Sequence, residues 1–147
     1  MATFTLKFFF DYGAGGCLWA GDDYTRDQLG FGPLDTSTFD LQGKVRRKPT
    51  LSLSSATHAI IEELDFQHSG YLNPKYPPDP SLWTQALCDD FNEGVERLLS
   101  LLKSELGTDF RIVDKQYRYV EDAELTEYLK ANPELSAMNS VTKPSVR

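Results

Sequence analysis

Apolar residues recur at steps of three and four after Thr84: Leu87, Phe91, Val95, Leu98, Leu99, Leu102 and Leu106 fall on one face of a 3.6-residue helix. The spacing predicts a helix of about six turns, roughly 33 Å long. Thr84 offers a hydroxyl N-cap, Asp89 and Asp90 stand near the positive end of the helix dipole, and Gly107 can take the left-handed conformation that closes the last turn. A strand pattern, Asp109-Phe-Arg-Ile-Val113, follows at once.

Alternation marks the start of the chain. Phe4, Leu6, Phe8 and Phe10 point one way and Thr5, Lys7, Phe9 and Asp11 the other, which predicts a strand with one apolar face. Gly13, Gly15 and Gly16 form a turn, and Cys17-Leu-Trp19 resumes as a second strand paired in a hairpin with the first. Asp23 to Leu29 fits a short helical turn. A second long helix opens at Ser54 or Ser55, buries Ile60, Ile61 and Leu64, and stops at Gly70. From Tyr71 to Trp83 the prolines predict a stiff, extended connector pinned to the core by Tyr71, Tyr76, Leu82 and Trp83. Tyr117 to Val120 reads as strand, and Glu121 to Ala131 as a short helix ended by Asn132-Pro133. Residues 134–147 predict a disordered tail.

These elements predict an α+β fold. Residues 1–133 form a single compact domain whose small, mainly antiparallel sheet is covered on one face by the two principal helices. A chain of 147 residues suits one domain.

Charge narrows the function classes. A formal net charge of −7 disfavours nucleic acid and anionic membrane and favours a basic partner. No run approaches the eighteen or so apolar residues of a membrane helix, and the start lacks a secretory pattern, so the expected location is cytoplasmic. Against the acidic background, Lys44, Arg46, Arg47 and Lys48 concentrate positive charge and are candidate anion contacts, with a solvated hairpin tip as the alternative.

Candidate chemistry is sparse. The glycine turn lacks both a following helix and a Gly-Lys-Ser/Thr, so it is no phosphate loop. Cys17 beside that turn, with Asp11, Tyr12 and either His58 or His68, defines a possible enzyme or ligand site. The two histidines, ten residues apart, do not have the spacing of a metal-ligand pair, Asp11, Asp22 and Asp23 lack calcium-loop spacing, and no metal or cofactor is expected. Cys17 and Cys88 form no secreted disulfide framework, and a bond between them stays open. No catalytic constellation emerges. The candidates for partner binding are the aromatic residues Tyr12, Trp19, Tyr76 and Trp83 and the acidic residues Asp22, Asp23, Asp89, Asp90 and Glu93.

The order Asp11-Tyr-Gly13 with Leu18-Trp19, then Leu51-Ser-Leu-Ser54, then Glu105-Leu-Gly-Thr-Asp-Phe110 resembles a family of small bacterial proteins without an established activity. The likeness covers about two-thirds of the chain. It departs at the Thr36 to Pro49 insertion and beyond Lys115. Small acidic proteins of this sort are often toxin-neutralising immunity proteins, an association between families and not a derivation from residues. The expectation is a non-enzymatic, cytoplasmic binding protein for a basic protein partner such as a toxin. The alternative is the small enzyme or ligand binder at the glycine turn.

Overall fold

A computed structural model describes residues 2–39, 41–47 and 49–141. Strands β1 (Phe4–Phe8) and β2 (Leu18–Ala20) are followed by helix α1 (Asp23–Leu29) and a two-stranded ribbon of β3 (Thr38–Phe39) and β4 (Val45–Arg47). Then come helices α2 (Ser55–Ser69) and α3 (Gln85–Leu106), strand β5 (Phe110–Asp114) and helix α4 (Leu125–Ala131). The fold is α+β.

The main sheet has the order β2-β1-β5. β2 pairs antiparallel with β1, as the glycine turn predicts, but β5 runs parallel to β1, so the sheet is mixed rather than mainly antiparallel. The direction of β5 is set by α3, which delivers the chain through a short turn at Gly107. That glycine adopts φ 76°, ψ −167°, a region open to glycine and costly for other residues. Tyr117 to Val120 is not a strand. Arg118 reaches both Glu96 and Asp114 at 2.6 Å, and Tyr119 N–H donates to the Asn92 side chain, so this segment is strapped to α3.

Leu6 and Phe8 on one face of β1, with Phe10 just beyond its end, share a buried cluster with Phe91, Val95, Leu98 and Leu102 of α3 and with Ile61 and Leu64 of α2. The two helices are held together at three places. Ser54, the α2 N-cap, donates its N–H to Glu105 at 2.9 Å, and Gln67 near the other end donates to Asp90 at 3.0 Å. Between these ties a Cβ at Gly94 would lie 2.7 Å from Leu64 Cδ2, so glycine permits the close approach.

Two further regions bear on the sequence reading. Trp83 is the core anchor expected of the proline connector and not a surface contact: it is 1 % exposed, and its indole N–H donates to the Gly70 carbonyl at 3.1 Å. Residues 134–141 do not form a free tail. Met138 exchanges backbone hydrogen bonds with Leu82 and Thr84, Glu134 pairs with Lys75 at 2.7 Å, and Met138 and Val141 pack on the core. Sparse apolar residues there find a groove already built by the Leu82-Trp83 segment. Residues 142–147 lie outside the described part of the chain.

Asp35, which no sequence pattern singled out, caps the outer edge of β2 at its Leu18 end. Its buried carboxylate accepts the N–H groups of Cys17 and Leu18 at about 3.0 Å, while Leu34 N–H donates to the Leu18 carbonyl at 2.8 Å. Burial pushes the Asp35 carboxyl above its ordinary value, opposed by those two backbone donors. Asp35→Ala strands both amides without an acceptor, and the expected loss is about 2–4 kcal/mol of unfolding free energy. A lowered urea midpoint with an unchanged slope would show it.

Candidate functional site

The glycine turn folds as a bend with positive φ at Gly13 and Gly15. It places Asp11 and Tyr12 at the end of β1 and returns Cys17 to the core. The Cys17 thiol is fully buried and faces Asp35, 3.5 Å away, and not a histidine. Burial, then the neighbouring Asp35 carboxylate, pushes that thiol well above its ordinary value. Cys88 is also buried and free, and burial followed by Asp89 and Glu121 pushes it up to about 11. A thiol so poised is a weak nucleophile at neutral pH.

Asp11, Tyr12 and His68 do come together. The Tyr12 ring stacks on the imidazole with centroids 4.5 Å apart, and Phe10, Phe91 and Tyr119 surround it at 6.0 to 6.2 Å. His68 is 4 % exposed, whereas Tyr12, its cover, is 42 % exposed. Among the described residues, His68 Nδ1 is buried with no hydrogen-bond partner. Burial holds the imidazole below its ordinary value, against a smaller upward pull from Asp11. His58 stands apart, about 15 Å away along α2 by the helical rise, near Glu105.

The remaining candidates are dispersed. Asp22 is the N-cap of α1, accepting from Thr25 N–H at 2.8 Å, and Asp23 pairs with Arg26 at 2.7 Å. Trp19 is half-buried on the outward face of the sheet, stacked on Phe9 at 5.0 Å. Tyr76 stands out exposed from the proline loop and does not pin it to the core as expected, because Asn73 organises the loop by donating to the Pro80 carbonyl and accepting from Lys75 and Tyr76 N–H. Buried Trp83 is removed from the surface set. In the basic segment, Arg46 and Arg47 belong to β4, Lys44 precedes it, and Lys48 lies outside the described residues.

Asp89, Asp90 and Glu93 share the first half of α3, and here the structure assembles something larger. Helices α2 and α3 bear eight carboxylates and two cationic side chains, Arg97 and Lys103, a net −6 of the protein's −7. Between them runs a groove of about 280 Å³ lined by Ile60, Glu63, Leu64, Asp90, Arg97 and Leu101, together with Gln67 and Gly94. Ile60, Leu64 and Leu101 make an apolar floor, and Glu63 and Asp90 are carboxylates on its rim. The lining follows helical spacing on both sides, 60-63-64-67 and 90-94-97-101, but a helical wheel shows only which residues share a face. Which two faces meet is a tertiary fact.

No family model, curated protein or solved structure matches this chain. Its own geometry therefore carries the functional reading. Among the described residues no helix is long and apolar enough to cross a membrane.

Two measurements follow. Cys17 and Cys88 should resist a thiol reagent at about pH 8 and react once denaturant unfolds the chain; rapid labelling of the folded protein would contradict their burial. His68 should make stability depend on pH. Its folded value lies below the unfolded one of 6.5, so its stabilisation is complete above 6.5 and is lost as pH falls through the lower folded value. Urea midpoints should therefore fall more steeply between about pH 7 and pH 5 for the natural chain than for His68→Phe.

Proposed function

We propose that this chain is a non-enzymatic binding protein that holds a basic protein partner along the α2-α3 face. The supporting observation is the concentration of charge: the helix pair carries a net −6, and Glu63 and Asp90 stand with Arg97 along a groove with an apolar floor. A positively charged segment bearing an apolar anchor complements both features. Its cations meet Glu63, Asp90 and neighbouring Glu62, Asp89 and Glu93 on the surface, while the anchor covers Ile60 and Leu101. Acidic recognition of this kind accelerates encounter and rejects acidic competitors. The finer form of the proposal is an immunity protein that neutralises a basic toxin in a bacterial cytoplasm.

An amphipathic lysine- and leucine-rich peptide, titrated into the labelled protein and followed by amide chemical shifts, tests the binding face. Shifts should map to α2 and α3, weaken with added salt, and require about tenfold more peptide in a Glu63→Lys, Glu93→Lys double variant. Both side chains are exposed, so the double variant should fold. Shifts centred elsewhere, or binding indifferent to the reversal, would refute the assigned face. Co-expression with neighbouring gene products at low salt then tests for a natural partner.

A further inference from the structure

The two edges of the main sheet are treated differently. The outer edge of β2 is capped at Leu18 by Leu34 and the Asp35 carboxylate. The outer edge of β5 is not closed. The β1-β5 ladder is bracketed by Phe4 N–H donating to Asp109 C=O and Lys115 N–H donating to Phe8 C=O, both at 2.9 Å. In that parallel register Arg111 and Val113 direct their backbone groups at β1, and Phe110, Ile112 and Asp114 direct theirs outward. Phe110 N–H turns back to Gly107 C=O. Among the described residues, the Phe110 C=O, the Ile112 N–H and C=O, and the Asp114 N–H have no hydrogen-bond partner. The strand carries no proline or bulge, two of the devices that blunt an exposed edge.

This set of free groups is self-complementary. A two-fold axis through Ile112 places two copies of β5 antiparallel. The Ile112 residues exchange both their hydrogen bonds, and each Asp114 N–H meets the Phe110 C=O of the other copy. The same register sets Arg111 opposite Val113 and Asp109 opposite Lys115 on the outward face. Asp109 and Lys115 are both exposed, so opposite charges face each other at both ends of the new pair. We propose that β5 is a homodimerisation edge, joining two copies of this chain into a continuous six-stranded sheet. The surface is separate from the α2-α3 groove, so each copy keeps its groove.

Sedimentation of the full chain, paired with circular dichroism to verify folding, tests the assignment. The natural chain should sediment as a concentration-dependent dimer. Ile112→Pro should sediment as a folded monomer, because the lost N–H points away from β1 and the ladder does not use it. Asp109→Lys and Lys115→Asp should each raise the dissociation constant about tenfold by setting like charges opposite. An equimolar mixture of those two variants should recover the dimer, since each then offers the charge the other lacks. That recovery depends on this register and remains decisive if Ile112→Pro fails to fold. A chain that stays monomeric up to about 1 mM, or a dimer indifferent to both charge changes, would overturn the proposal.

Discussion

Burial of the apolar stripe of α3 is the interaction on which the other elements depend. Phe91, Val95, Leu98 and Leu102 are wholly enclosed, and they touch the inner face of β1 and the inner side of α2 in one cluster. A three-stranded sheet of short strands offers little area by itself, so the helix supplies most of what there is to pack against. The same helix determines the direction of β5 through the Gly107 turn, and its outer side anchors the 115–120 segment through Glu96 and Asn92. Removing large side chains from this stripe would therefore loosen the sheet, the strap and the α2 contact together.

Polar ties around that core join residues far apart in the chain. Ser54 with Glu105 and Gln67 with Asp90 fix the register of the two helices, while Gly94 lets them approach. Asp35 and Asn73 each replace missing secondary structure: one carboxylate caps a sheet edge, and one amide folds the proline loop upon itself. Buried polar groups of this kind are stabilising only when satisfied. Among the described residues, His68 Nδ1 is the exception, enclosed by aromatic rings whose faces offer it no conventional donor.

Acidity without geometry says only that a protein is soluble and repels anions. Concentrated on one helix pair beside an apolar groove, the same charge supports the proposed recognition surface. The −7 total sums the whole chain and the −6 only α2 and α3, and the second figure has meaning only because those helices lie side by side. The sheet edges show the same contrast. A strand pattern of Phe-Arg-Ile-Val-Asp has no marked edge until its neighbours are known.

The long helix, its Thr84 and Gly107 caps, the N-terminal hairpin and the Ser54 start of α2 were legible in the sequence. Each depends on periodicity or on a cap within a few residues, where the chain's own geometry decides the outcome. Contacts between distant residues decided the parallel direction of β5, the exposure of Tyr76, the docking of Met138 and the role of Asp35. No local pattern encodes them, since a tyrosine in a proline loop or an aspartate after Leu34 has the same local character whether it faces solvent or core. Asp11, Tyr12 and His68 meet only because β1 and α2 end at the same side of the molecule, whereas Cys17, closer to Tyr12 in sequence, is turned away into the core by strand pairing. Local sequence thus determined which segments became helices and strands, and long-range packing decided which of their side chains share an environment.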